Sequence, residues 1–502
     1  MDIRPMMQAF GFGHRASGQI IIDHEGELWL AAAPVVAGGF LPAGGGGLPG
    51  GLRIEPTENG AVVPFTYTAT EGLLELTTQK GAKLRFAIDA DAQALRIRGN
   101  TALRLNGIKD GPGTQSLNTP AGVSLRVGGG SYLFTAKQGA ITFDDSWLLH
   151  KRHSVAPVLD IEPEGGEIEL YAYDLPADTA APAITKTLDQ CAAESCAAFA
   201  AFVDTLVDIP DEWRDVKEKI AYLIWLCHRT LDGKNEVIVE NKYNSRDTNA
   251  RLMAIASLVF KDAAKAVDMI LAYPADLPPV AGLAAARLLE DEKLNDARGE
   301  IYRIFASLEA VARKCIQKRT VDKDGLSFYA YRFESGMGRS PAFFQVGEPV
   351  LAPDLNAYLV LVSEVLGKLA GMEYDVGAGR TWEARAKALQ AKLVAELWDG
   401  EDFVGKHAYT GELSGPDRLL SLVPAILGSR LPDEIVRKLA AKAAAEAPGG
   451  AVGYLVVGGL YDAGEKALAK DITLRVLAEA RIDGVDCPFC GASLLALAHK
   501  VL

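Results

Sequence analysis

Two stretches of this chain gather side chains that can do acid/base and recognition chemistry. In Glu240-Asn241-Lys242-Tyr243-Asn244-Ser245-Arg246-Asp247-Thr248, carboxylates, amides and a guanidinium surround one tyrosine at the start of a helix-like pattern. The second runs Phe328-Tyr329-Ala330-Tyr331-Arg332-Phe333-Glu334-Ser335-Gly336-Met337-Gly338-Arg339-Ser340-Pro341 and is followed by Ala352-Pro353-Asp354-Leu355-Asn356-Ala357-Tyr358. Aromatic faces stack on sugar rings, and carboxylates, arginines and amides read hydroxyls, so both stretches have the makings of a carbohydrate cleft. Loops of this length on a rigid scaffold are where function usually sits.

Each group also has a plainer role. Asp247 suits a helix N-terminus, where free N–H groups and the macrodipole favour a carboxylate. Glu334 can pair with Arg332 or Arg339, and Asp354, just after Pro353, can cap a helix. Arg246 and Arg339 can be surface charges, although Arg339 could also hold an anionic group of a ligand through its planar fork. Trp213, Tyr222 and Trp225 recur at helical spacing and read as core. The seven histidines are scattered, so neither a metal cluster nor a Ser-His-Asp set is supported.

Six cysteines in 502 residues do not make a disulfide framework. Cys487-Pro-Phe-Cys490 has CxxC spacing, but zinc would need a second pair or two nearby histidines and the closest is His499, so these read as structural thiols. No tightly bound cofactor and no metal are implied, with a carboxylate-held Ca²⁺ the one alternative left open. The glycine run 44–51 contains a literal GxGxxG, but it leads into the strand-like Leu52-Arg53-Ile54 and is interrupted by Pro49, so it reads as a loop and not a nucleotide site.

The elements that must position these groups fall into two blocks. From about 15 to 175, short strand-like runs such as GQIIIDH, GLLELTTQ, KLRFAIDA and EIELYAYDL alternate with Gly, Pro, Asn and Asp turns, which predicts an N-terminal antiparallel β-sandwich over 1–180. A Pro/Ala-rich connection at 175–187 precedes text that is helical in character throughout. About a dozen helices of ten to twenty residues, among them 211–231, 353–371, 377–397 and 417–428, without a fixed-period repeat, make six αα-hairpins, enough to close an (α/α)6 toroid over 187–502. Loops at 240–248, 328–345 and 481–490 then form the cleft.

Hydrophobic residues at 49%, charged residues at 23% and a net charge of -13 describe a globular chain without the basic footprint of a nucleic-acid or anionic-membrane binder. The N-terminus has no apolar signal region and no stretch reads as a membrane span, which predicts a cytoplasmic protein whose partner is a small saccharide or glycoside. The sequence leaves the oligomeric state open.

Taken in order, Asn244-Ser245-Arg246-Asp247-Thr248, Leu277-Pro278-Pro279-Val280, Glu334-Ser335-Gly336-Met337, Asp354-Leu355-Asn356-Ala357-Tyr358, Leu397-Trp398-Asp399 and Thr410-Gly411-Glu412 form a set over about 210–430. The helical region resembles glycoside hydrolase family 63 and its relatives, the trehalases and the amylo-glucosidase part of debranching enzymes. The resemblance implies a six-hairpin toroid behind a β-sandwich that hydrolyses glycosidic bonds with inversion. It places Tyr243, Arg246, Tyr331, Arg339, Asp354 and Asn356 at the substrate. The family's central loop reads Glu-Ser-Gly-Met/Trp-Asp, its last residue the general acid; here Gly338 stands in that place. The Arg-Gly-Pro-x-Trp stretch and the base-bearing aromatic loop that follow in the family are reduced to 453–459 and to Ile482-Asp483-Gly484-Val485-Asp486-Cys487. A catalytic version of this chain therefore draws its acid from Glu334 and its base from Asp483, Asp486 or Asp247. Two alternatives remain beside hydrolysis: a carbohydrate-binding relative without catalysis, and a sugar epimerase or lyase, which would want a His or Tyr base.

Overall fold

A computed structural model describes residues 3, 10–11, 19–24, 26–32, 51–107, 115–119, 122–127, 130–144, 147–148, 153–154, 157–173, 175, 180–231, 235–238, 253–272, 277–292, 294, 298–322, 325–336, 340–372, 375–417, 420–485 and 487–502. The chain divides into two compact units. One comprises Met1–Asp204, Ala221–Thr230 and Val239–Lys242; the other comprises Thr205–Ile220, Leu231–Ile238 and Tyr243–Leu502.

The first unit is built on two eight-stranded antiparallel sheets. One runs, in spatial order, through Phe10–Gly11, Gln19–His24, Glu27–Ala32, Gly51–Glu58, Ala102–Gly107, Val158–Glu162 and Ala140–Asp144, with Ala61–Val62 beside Gly51–Glu58. The other runs through Gln115–Thr119, Gly122–Val127, Gly130–Gln138, Ile168–Tyr173, Ala94–Gly99, Lys83–Asp89, Leu74–Thr78 and Phe65–Ala69. Alternation decides the faces: in Leu74–Thr78, Leu74, Leu76 and Thr78 are buried while Glu75 and Thr77 are not. Leu103, Leu105, Leu159 and Ile161 of one sheet and Leu84, Phe86, Ile97 and Leu170 of the other supply the interior of this sandwich.

The helix Leu188–Asp204 belongs to this first unit and packs on Lys83–Asp89, with Ala87, Leu188 and Cys191 in one apolar cluster. Gly72 makes room for it, since a Cβ there would lie 2.2 Å from the Ala192 carbonyl. Phe199 packs against both Tyr222 and Trp225, which are buried as their spacing suggested.

In the second unit, six inner segments close a ring. Helical residues 253–259 pack on Ala281–Glu290, which packs on Pro353–Met372, then Val423–Arg430, Gly450–Asp462 and Pro488–Val501, which returns to 257–259. Between them in sequence come the outer helices Ala263–Ala272, Arg298–Lys318, Val376–Leu397, Asp433–Glu446 and Lys466–Asp483, with the start of Arg214–Cys227 preceding the first inner segment. Side-chain patterning separates the two sets. Pro353–Met372 is apolar all round, long and apolar enough to cross a membrane, and buried along most of its length at the centre of the ring. Val376–Leu397 buries only Gly379, Trp382, Ala386, Leu389, Leu393 and Leu397, one stripe at helical spacing. Inner segments approach closely through glycine: a Cβ on Gly459 would meet the Ala425 carbonyl oxygen at 2.0 Å, and one on Gly282 would meet Val362 at 2.4 Å.

Alternation of inner and outer helices makes the inner ones run in one direction, and contacts at both ends bear this out. At the C-terminal ends, Arg287 of Ala281–Glu290 pairs with Asp462 of Gly450–Asp462, and Lys500 of Pro488–Val501 donates to the same carboxylate at 2.6 Å. At the N-terminal ends, the Cys490 side chain lies against Gly450, where a Cβ would be 3.4 Å from its Sγ.

Three details depart from the expected elements. The helix expected over 211–231 ends at Cys227, and His228–Leu231 is extended; Thr230 is β-branched and the following Asp-Gly in the sequence favours a turn. The helix expected at 417–428 is a 3₁₀ segment, Val423–Arg430, broken at Gly428 with φ 55°. The region read as wholly helical also contains a four-stranded antiparallel sheet, Phe328–Tyr329, Val350–Leu351, Val404–His407 and Leu413–Pro416. Strands of two to four residues leave no periodic trace in a sequence.

Candidate active site

The four-stranded sheet and its connections sit at the entry to the inner helix Pro353–Met372. Arg319, just past the outer helix Arg298–Lys318, leads through an isolated bridge between Thr320 and Ser327 into Phe328–Tyr329. A 3₁₀ turn, Arg332–Ser335, follows and closes on Gly336, whose φ of 65° a glycine adopts without strain. Glu334 organises this turn. One of its oxygens accepts from the Arg319 guanidinium at 2.6 Å, and the other accepts the backbone N–H groups of Ala330 at 2.7 Å and Tyr331 at 3.4 Å. The partner of Glu334 among the described residues is thus Arg319 rather than Arg332. Arg332 instead lies between the rings of Phe333 and Phe344, 4.8 and 5.0 Å from their centres, and its backbone N–H donates to Glu348 at 2.7 Å.

Behind this turn is a fully buried polar frame. Asn356 has no exposed surface; its Oδ1 accepts from Ser327 N–H at 2.8 Å and its Nδ2 donates to the Ser327 and Ala352 carbonyls at 2.9 Å. Asp354, equally buried, accepts from the Tyr329 hydroxyl at 3.0 Å. Ser340 donates to Asp417, whose other oxygen accepts from Leu420 N–H at 3.1 Å at the entry to the next inner segment. Ser421 accepts from Asp417 N–H and donates to the Phe403 carbonyl. Asp354 and Asn356 therefore brace the strand and helix starts from the interior, and the ring end presents other groups outward.

What faces outward is aromatic. Tyr331, Phe333, Phe344 and Tyr409 are 62–68% exposed, an unusual share for large rings in one insertion. His407 fixes the turn that carries Tyr409, its Nδ1 accepting from Thr410 N–H at 3.0 Å, which assigns the ring proton to Nε2. Tyr331 is thus where a substrate-stacking residue can act.

Of the other expected site residues, Tyr243, Arg246, Asp247, Arg339 and Asp486 lie outside the described residues, as does Gly338. Asp483 is the exposed last residue of the outer helix Lys466–Asp483. Of the expected catalytic carboxyls, Glu334 and Asp483 are the two that fall within the described residues. Sequence reading passed over Arg319, Glu348, Phe344, Tyr409 and Asp417. Asp417 carried a signal, an acid after Pro416 three residues before the apolar Leu420 run, which is an N-cap pattern. Among the described residues no group of three or more His, Cys, Asp and Glu could hold a metal.

Residues 219–457 match the family model for the mannosylglycerate hydrolase MGH1-like glycoside hydrolase domain, to which this stretch is similar. No curated protein matches the chain in sequence. Among solved structures, a family GH92 α-mannosidase from Bacteroides thetaiotaomicron in complex with mannoimidazole aligns with 98% of this chain and 83% of its own, at 10% identity and a TM-score of 0.55, which shows a shared fold. A GH63 mannosylglycerate hydrolase from Thermus thermophilus in complex with glucose aligns with 50% of this chain and 91% of its own, at 19% identity and a TM-score of 0.41.

Proposed function

We propose that this chain hydrolyses a small α-linked saccharide or glycoside at the inner-helix N-terminal end of its ring, by an inverting acid/base scheme. The match of 219–457 to a mannosylglycerate hydrolase-like domain supports this reading, because that span contains both polar loops, the exposed aromatic rim and the buried frame behind them. Inversion needs a protonated carboxyl at the leaving oxygen and a carboxylate activating water across the sugar, roughly 6.5–9.5 Å away. We assign the acid to Glu334 and the base to Asp247, Asp483 or Asp486. To donate a proton Glu334 must first give up Arg319, so in this scheme substrate binding rearranges the turn 330–335. Tyr331, Arg339, Tyr243 and Arg246 are the residues we assign to contact with the sugar or its aglycone.

The test is sugar release from α-glucosides, α-mannosides and their glycerate conjugates. Wild type should turn over at least one, and Glu334→Gln should lower kcat by about 10²–10⁴-fold, the usual worth of a general acid. A second reading, a saccharide-binding relative without hydrolysis, is favoured by the three donors already engaging Glu334 and by Gly338. It predicts a silent wild type that still binds sugar by calorimetry, and activity appearing in Gly338→Asp.

A further inference from the structure

Cys487 and Cys490 begin the last inner helix, Pro488–Val501. Cys487 is the N-cap, extended at φ -154° and ψ 154°; Pro488 follows at the first helical position, and Cys490 sits on the first turn. The Cys487 Sγ takes the cap's acceptor role, receiving the Cys490 N–H at 3.1 Å. Residues three apart at a helix start have Cα atoms about 5 Å apart, from a rise of about 1.5 Å per residue, and a disulfide spans about 4.4–6.8 Å. Pro488 fixes its φ, so the turn between the two thiols is already set.

The first turn of Pro488–Val501 contains no acidic residue, and Asp486, which precedes the cap in the sequence, lies outside the described residues. Cys490 is half-buried and Cys487 is buried. The other four cysteines lack these features. Burial pushes the thiols of Cys191 and Cys196 up, which makes them poorer nucleophiles, and Cys227 and Cys315 are buried within helices.

We propose that Cys487 and Cys490 form a reversible dithiol/disulfide couple, a redox modification site at the N-terminal end of the last inner helix. The oxidant class is a low-molecular-weight disulfide. The Cys490 thiolate attacks one of its sulfurs and releases the first small thiol; the Cys487 thiolate then attacks Cys490 in the mixed disulfide and releases the second. Two protein thiols lose two electrons and two protons, and the small disulfide becomes two thiols. Cys490 Sγ lies against Gly450, so the bond would form where two neighbouring inner helices begin.

The full chain is equilibrated in reduced and oxidised glutathione at graded ratios, blocked with an alkylating agent, and read by intact mass and peptide mapping. The expected result is loss of two hydrogens with a linked Cys487–Cys490 peptide, reversed by excess reduced glutathione. In Cys487→Ser, whose serine is itself a good N-cap, a glutathione adduct should persist on Cys490 because nothing resolves it. Cys490→Ser should give no internal disulfide. Six alkylated thiols at every ratio, a stable glutathione adduct on wild-type Cys490, or a disulfide using any other cysteine would overturn the proposal.

Discussion

Replacing Glu334 by alanine removes the acceptor of three donors at once, and the loss can be read amide by amide. A hydrogen bond to a charged group contributes about 1.5–3 kcal/mol net, and because the Glu334 side chain is 20% exposed, solvent screening places each bond near the lower end. The Ala330 N–H, at 2.7 Å, should lose close to that amount, which is about tenfold at 1.4 kcal/mol per decade. Tyr331, at 3.4 Å, has a longer bond and should lose about two- to threefold. Native-state hydrogen exchange resolved to single amides is the assay, because it reports local opening without assuming that two units unfold together. Glu348→Ala is the control, since that carboxylate takes the Arg332 N–H and neither of the other two. Unchanged protection at Ala330 in Glu334→Ala, or an equal fall in the control, would refute the view that Glu334 organises the turn.

Asn356→Ala leaves the Ser327 N–H and two carbonyls without their buried partner, and should cost about 3 kcal/mol, seen as a lower urea midpoint at constant slope. Gly459→Ala should cost about 2–3 kcal/mol because its Cβ would overlap the Ala425 carbonyl, whereas Gly458→Ala, facing the flexible end of Lys500 at 3.8 Å, should be nearly neutral by the same measurement. Burial and the neighbouring Arg287 push the Lys500 ammonium below its ordinary 10.5, against the pull of Asp462. The folded state then holds fewer protons than the unfolded state between the depressed value and 10.5, so stability gains with rising pH through that window. Lys500→Met should flatten that gain; an identical pH slope in both proteins would show that Lys500 does not titrate differently on folding.

What the sequence made legible followed from period and length. The inner helix Pro353–Met372 and the outer helix Val376–Leu397 were visible within a residue or two, because one is apolar all round and the other carries a stripe. The sheet of Phe328–Tyr329, Val350–Leu351, Val404–His407 and Leu413–Pro416 was not, since its pairing is set by tertiary contact between segments far apart in the chain. At the candidate site, residue type found the right loop and could not order depth within it. Tyr331 and Asn356 were read as equal neighbours of a ligand, yet one is 62% exposed and the other fully buried. An amide that reads a hydroxyl and an amide that clips a strand to a helix use the same donors and acceptor. Nor could the text pair Glu334 with Arg319, fifteen residues upstream on the far side of a chain reversal.

The two ends of the ring favour opposite charges. Six parallel inner segments collect partial positive charge at their N-termini and partial negative charge at their C-termini. The cations follow this: Arg287 and Lys500 stand at the C-terminal ends, where burial opposes the Arg287 charge but Tyr454, Asp462 and Glu290 outweigh it and raise its pKa. Asp354 and Asp417 stand at inner-segment entries on the opposite end, whereas Asp462 and Glu290 at the C-terminal ends are paired with those cations. A helix entry suits a carboxylate that stays ionised and is a poor seat for a group that must arrive protonated. In the proposed inverting scheme, helix-entry acids would serve as a fixed frame and the proton would be carried by a side chain on the loop 328–345. A Gly338→Asp variant with higher activity than wild type, and an Asp417→Asn variant that loses stability in proportion to activity, would bear this division out. Full activity in Gly338→Asp combined with Glu334→Gln would assign the proton to position 338 and leave Glu334 its turn.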